Sequence, residues 1–306
     1  MPQQGEPFAS ASATAATGQP ASLDAAALAR WDRDGVLPVR GLAPMPELAP
    51  LRGLVDRAFA ARRDGDERGC WFDLLEPEEP GAAEDATHVA WPSAQAPWLA
   101  STALRRNAHA LARRLLGPEA ELVWEAAVLM PPRGAPAQSW RQDEAGFTPG
   151  TPYREAVSVW VPLQEVTEGT GCPRFQRGSH RGPLLPHAPR TGPGLAARGA
   201  SPWPEALLPP PAASIVAVPL RAGDAVVHHS RTLHALGANA GAQPRRALVL
   251  DFAVREGVPA SRGVVAREAQ PVALMSPPHA RRPPGRTPLA QQLRQQVRKA
   301  FSRFGW

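Results

Sequence analysis

Gly223-Asp224-Ala225-Val226-Val227-His228-His229 is a turn followed by a short apolar run, and it continues into Leu233-His234-Ala235-Leu236-Gly237-Ala238-Asn239 and then Arg245-Arg246-Ala247. Short apolar runs punctuated by Gly and Asn read as strands joined by turns. The same pattern fills the second half of the chain. Leu122 to Met130, Ala156 to Leu163, Ser214 to Val218, Asp224 to His228 and Ala247 to Val254 are the expected strands, separated by Gly/Pro segments. Upstream the period changes. Leu23, Ala27, Leu28 and Trp31, with Ser22 as expected N-cap, predict a short helix, and Val36 to Val39 a strand. Leu51, Leu54, Val55 and Phe59 predict a helix over 48–62, and Leu99, Leu104, Ala108, Leu111 and Leu115 another over 97–116. Helices first and strands afterwards predict a mainly β protein with flanking helices packed outside a sandwich or barrel.

Three segments matter for function. The first is Ser139-Trp140-Arg141-Gln142-Asp143. The second runs from Val157-Ser158-Val159-Trp160-Val161-Pro162-Leu163 to Arg177-Gly178-Ser179-His180. The third is the stretch from Gly223 to Ala247. Their order and spacing resemble the phytanoyl-CoA dioxygenase family of iron(II)/2-oxoglutarate oxygenases. That family writes them as His-x-Asp, a Trp-bearing strand ending in a Gly-Ser-His turn, and a Gly-Asp strand leading to His, with Arg about eleven residues later. Arg33 to Leu42 resembles the family's opening helix-to-strand step, so the likeness covers roughly residues 24 to 255.

The resemblance implies a double-stranded β-helix, the jelly-roll or cupin-like fold. It implies Fe(II) and 2-oxoglutarate as cofactors, hydroxylation of an unactivated C–H bond of a small-molecule or acyl substrate, and succinate as coproduct. Residue by residue it implies Asp143 and His234 as metal ligands, Arg245 as partner of the far carboxylate of 2-oxoglutarate, and Trp160 as a wall of that pocket. Two histidines and a carboxylate leave three positions on iron for a keto acid and oxygen, and a guanidinium fork suits a carboxylate. Trp160 fits a core aromatic as well as a pocket wall, and Arg246 is the alternative register for Arg245.

This chain departs from the family at Arg141, which stands where the first histidine is expected. Residues two apart on a strand share a face, so Arg141 and Asp143 point into one site. An arginine keeps its charge and has no lone pair for a metal. The expected outcome is an Arg141–Asp143 ion pair in place of the metal, and a pseudoenzyme that keeps a small-acid pocket without iron is the alternative to the oxygenase. Arg141 also fits an anion clamp. As replacement ligands, His229 has the wrong parity with His234 and is expected on the other face. His228 has the right parity but is expected about 20 Å away along an extended strand. His180 fits a rim histidine, and His88 stays open.

The chain has 306 residues, with 37 Pro and a net charge of +6. Seven cationic residues and no acidic ones lie between Arg281 and Trp306. That tail accounts for the whole excess and leaves a near-neutral body, which argues against a nucleic-acid-binding core. The expected organisation is a leader over 1–22, a jelly-roll domain over 23–270, and a basic tail over 271–306. The tail's helix, with Leu289, Leu293, Val297, Phe301 and Phe304 on one face, fits docking on its own domain or contact with a membrane surface or a protein. Cys70 and Cys172, without metal spacing or a signal-like N-terminus, fit free thiols of a cytoplasmic protein. The Pro-rich stretch 183–211 fits a specificity loop.

Overall fold

The computed structural model describes residues 23–63, 70–72, 88–133, 137–146, 153–188 and 205–255. The expected leader, the tail helix and most of the Pro-rich stretch lie outside the described residues.

The architecture follows from one sheet buried on both faces. Strand β12 (Arg245–Arg255) runs antiparallel between β4 (Glu121–Met130) and β5 (Tyr153–Pro162). Around these three, β1 (Val36–Val39) and β10 (Ala225–His229) extend one side. Strands β3 (His88–Ala90) and β2 (Cys70–Phe72) extend the other, giving the order β1-β10-β5-β12-β4-β3-β2. A smaller sheet, β11 (His234–Leu236), β6 (Pro173–Gln176) and β9 (Ile215–Ala217), faces it, and β7 (His187–Ala188) and β8 (Glu205–Ala206) form a separate pair. Arg141 adds to the smaller sheet through a bridge to His234, with both backbone bonds made, 2.9 and 3.0 Å. The result is the mainly β, double-stranded β-helix arrangement expected.

Alternation along each strand of the large sheet separates two cores. Leu248, Leu250, Phe252, Val157, Val159, Val161 and Val227 face outward, under the helices. Ala247, Trp160, Val128 and Val226 face inward, towards Phe175, Cys172 and Leu236 of the opposite wall. Because both faces are covered, these strands read as near-continuous apolar runs, as central strands of covered sheets do.

The outer layer is α1 (Ala25–Asp34), α2 (Met45–Arg63) and α4 (Ala103–Leu116), with a short α3 (Pro92–Gln95). Helix α4 buries Leu104, Ala108, Leu111 and Leu115, the spacing seen in the sequence. Each such leucine contributes about 1.5–3 kcal/mol on burial. Three helix starts differ from expectation, with α2 opening at Met45, three residues before the expected Leu48. Helix α1 is capped by Asp24, whose Oδ1 accepts from the amide of Ala27 at 2.6 Å; Ser22, the expected cap, lies outside the described residues. Pro97–Ser101 is a 3₁₀ turn, and α4 begins after Thr102, whose hydroxyl accepts from the amide of Arg105. Pro97 and the capping Thr102 impose that break. Glu47 reinforces it from α2 by accepting from the amides of Ala103 and Leu104 at 2.7 and 3.0 Å. No helix among the described residues is long and apolar enough to cross a membrane.

Candidate metal centre

The cavity between the two sheets holds Arg141, Asp143, Trp160 and His234, which the sequence singled out, and His228, which it set aside. Arg141, Asp143, Ser158, Trp160, Phe175, His228, His234 and Asp251 are among its lining residues. Asp143 follows the Arg141 bridge and opens a 3₁₀ turn over Asp143–Gly146. Between the two, the buried amide of Gln142 locks the segment in place. Its Nε2 donates to the carbonyl of Arg231 at 2.8 Å, and its Oε1 accepts from the amide of Leu185 at 2.8 Å.

His228 corrects the sequence reading. An extended strand would put it about 20 Å from His234, yet their ring centroids are 4.2 Å apart. The chain is not extended between them. Strand β10 ends at His229 in the large sheet, Ser230 to Leu233 cross the barrel mouth, and β11 starts at His234 in the small one. The two rings therefore face each other from opposite walls. The polar Ser230-Arg231-Thr232 run was the sequence signal for that crossing. Ligand atoms of Asp143, His228 and His234 all lie within 4.8 Å of one another. His229 points away and packs its ring near Trp31 and His180, outside the cavity. His88 lines the cavity but is not one of these three residues.

The hydrogen bonds decide which atoms face the centre. His234 Nδ1 lies 2.9 Å from the carbonyl of Thr232. A carbonyl only accepts, so Nδ1 carries the hydrogen and Nε2 carries a lone pair in the neutral ring. That Nε2 is 3.4 Å from Asp143 Oδ1. Two lone pairs in that position need a proton or a cation between them. Burial alone would raise the Asp143 carboxyl, but His234, then His228 and Arg141, outweigh it and hold the group below the usual carboxylate range. His228 is pushed down to about 3, mainly by burial and then by His234, so it is neutral at pH 7 with a lone pair to give. Two imidazoles and an ionised carboxylate thus converge, a donor set that suits a first-row metal.

Arg141 stands beside this set. Its Nε is 3.5 Å from Asp143 Oδ1 and its Nη1 donates to Gln138 Oε1 at 3.2 Å. The expected contact between Arg141 and Asp143 is present, but it coexists with the His228–His234 pair on the same carboxylate.

Deeper in the barrel, Arg245 is 1% exposed. Its Nη1 donates to the carbonyl of Gly171, and its guanidinium carbon lies 5.7 Å from the Trp160 ring centroid. Gly171 adopts φ +83°, and a Cβ there would run into Arg245 Nη1 and the carbonyl of Gly237, so only glycine permits this approach. Nε and Nη2 of Arg245, and Nε1 of Trp160, are buried without a partner. Burial pushes the guanidinium down to about 10, still charged at neutral pH. A buried cation with two unmet donors is costly unless an anion completes it, and a carboxylate has the matching two-oxygen geometry. Arg246 faces the other way and pairs with Asp56 at 2.6 Å.

The comparisons with known proteins agree with this fold. The family model "Phytanoyl-CoA dioxygenase (PhyH)" matches residues 31–247. The chain is 34% identical over 150 residues to a probable alpha-ketoglutarate-dependent hypophosphite dioxygenase of Stutzerimonas stutzeri. That match spans 49% of this chain and only 50% of the relative's length. Among solved structures, EvdO2 from Micromonospora carbonacea var. aurantiaca, in complex with 2-oxoglutarate, superposes with a TM-score of 0.61 at 28% identity, over 78% of this chain and 96% of that one. The epimerase SnoN, in complex with Fe3+, alpha-ketoglutarate and nogalamycin RO, superposes with a TM-score of 0.54 at 26% identity, over 81% and 94%.

Proposed function

Because this chain belongs to the phytanoyl-CoA dioxygenase family, we propose that it is an iron(II)/2-oxoglutarate-dependent oxygenase whose metal ligands are Asp143, His234 and His228. The observation that carries the proposal is the convergence of those three residues, which restores the two-histidine, one-carboxylate set despite arginine at position 141. When bound, the iron and the keto acid would supply the oxidising chemistry for a C–H bond of a small-molecule substrate.

The chain's own residues have separate tasks. Thr232 holds the His234 tautomer through Nδ1, which leaves Nε2 to the metal. Gln142 fixes Asp143 relative to the turn that links the two histidines. Arg245 receives the distal carboxylate of 2-oxoglutarate on its two unmet nitrogens, with Trp160 closing that end. The buried walls exclude water from the space between, which strengthens each charged contact.

The test is anaerobic addition of Fe(II) and 2-oxoglutarate, watching for the metal-to-ligand charge-transfer absorption, followed by succinate assay on admission of oxygen. Absence of both overturns the oxygenase.

A second reading has its own support. The guanidinium of Arg141 sits 3.5 Å from Asp143 Oδ1 and opposes a divalent ion there. On that reading the protein is a pseudoenzyme that binds a small acid through Arg245 without iron. Calorimetry with 2-oxoglutarate in the presence of a chelator separates the two, since binding that requires metal refutes the second.

A further inference from the structure

Arg245 and Asp251 both lie on the inward-facing side of β12; Asp251 lines the cavity, and the oxygenase reading leaves it without a task. The two are six residues apart, so they share a face of the strand and stand about 20 Å apart at the usual rise. Arg245 marks the buried end, beside Met130. Asp251 lies towards the end of β12 that finishes at exposed Arg255. Asp251 is level with the metal ligands: it pairs in register with Ser158 on β5, and Ser158 pairs with His228 on β10. On its other side it pairs with Trp124 of β4, which also lines the cavity.

Ser158 hydrogen-bonds the Asp251 carboxyl, yet Oδ1 is shut off from solvent and has no hydrogen-bond partner. Buried polar atoms are rarely left so, because the desolvation is not repaid. An orphaned oxygen on a cavity wall indicates a partner that arrives with a ligand. Arg245 accounts for the keto acid at the other end, so the partner of Asp251 belongs to the second substrate.

We propose that Asp251 is the specificity-determining residue for the molecule to be oxidised, and that it receives a hydroxyl group of an uncharged substrate whose apolar face lies against Trp124. The proposal rests on the oxygenase reading of the same site. Charge selects the hydroxyl. A cationic group at this position would face Arg141 and the metal. An anionic group would face Asp143 and the bound keto acid. A hydroxyl is neutral and both donates and accepts, so it pairs with the carboxyl in either protonation state. Burial, and next the nearby Asp143, raise the Asp251 carboxyl to about 8, so both states are populated near neutral pH. The indole of Trp124 offers a flat apolar surface for the carbon skeleton.

The experiment uses the full chain loaded with Co(II) and 2-oxoglutarate. The probes are cyclohexanol, cyclohexanone, cyclohexylammonium and cyclohexanecarboxylate. Binding is read from line broadening of probe protons by the paramagnetic ion. Cyclohexanol is expected to bind at least tenfold more tightly than the other three. Asp251→Val is expected to erase that preference, and Asp251→Asn, which keeps a hydrogen-bonding side chain, to retain most of it. Equal binding of cyclohexanol to wild type and Asp251→Val, no binding to wild type, or preference for a charged probe overturns the proposal. The Co(II) absorption band is recorded for every variant. Its absence in wild type counts against the oxygenase reading alone, and probe binding is then read from tryptophan fluorescence of the metal-free protein.

Discussion

Replacing Arg141 by methionine isolates the one feature that opposes a metal at this centre. The guanidinium Nε lies 3.5 Å from Asp143 Oδ1, so a dication on that carboxylate would sit within about 4 Å of a full positive charge. At an effective dielectric of 20 the repulsion is about 8 kcal/mol, twice the value for unit charges at that distance. That figure is a ceiling, because the Arg141 side chain is 15% exposed and can swing towards Gln138 and solvent. Allowing a quarter to a half of it gives about 2–4 kcal/mol, or roughly 30- to 1000-fold in metal affinity. Methionine keeps most of the volume and removes the charge. Arg141→Met should therefore tighten Co(II) or Zn(II) binding by that factor, measured by calorimetry at pH 7.5. The metal-free protein should at the same time lose stability, because Asp143 loses a cationic neighbour. Wild-type affinity should weaken less with added salt than an exposed site would, since buried pairs are poorly screened. Metal affinity unchanged within threefold, or lowered, in Arg141→Met would refute the electrostatic argument and show that Arg141 does not face the metal.

Three further outcomes are expected. His228→Ala should weaken Co(II) binding about as much as His234→Ala, by roughly 100-fold or more in an optical titration, while His229→Ala should stay within threefold, because only the first two rings share the centre. Arg245→Met should abolish calorimetrically detected 2-oxoglutarate binding and raise the melting temperature of the ligand-free protein, since replacing a buried, incompletely paired cation by an apolar chain of similar volume commonly gains about 1–4 kcal/mol. Asp251→Asn should stabilise the metal-free protein at pH 7 and not at pH 4. The native carboxyl is raised to about 8 while the unfolded one ionises near 3.8, so the unfolded chain is favoured increasingly as pH rises between those values. The ceiling at pH 7 is about 4 kcal/mol, and denaturant midpoints across pH 4–8 would reveal a flat difference if the carboxyl is not raised.

The strands and helices were legible because their periodicities are local. Leu104, Ala108, Leu111 and Leu115 mark a helix face whatever surrounds them, and the ordered motifs from Arg141 to Arg245 carried the family and its fold. The starts of α1 and α4 were misplaced, because Asp24 and Thr102 compete with near neighbours as caps and only the actual backbone path selects between them. Arg245 and Arg246 differ by one residue, and the sequence could name either. Strand alternation in the folded sheet turns the first inward and the second towards Asp56.

The amino-acid order alone determined a helix-flanked jelly roll and supplied Asp143, His234 and an intruding arginine. The helices and strands followed from the backbone repeat, which fixes side-chain direction along each element, while the jelly roll and the site residues followed from the ordered motifs that resemble the family. The tertiary structure alone decided that His228 meets His234. Their separation depends on where the chain leaves one sheet for the other, a long-range event that spacing does not encode. The orphaned oxygen of Asp251 was likewise invisible beforehand, since a missing hydrogen-bond partner is a property of everything that packs around a group and not of the residues beside it in sequence.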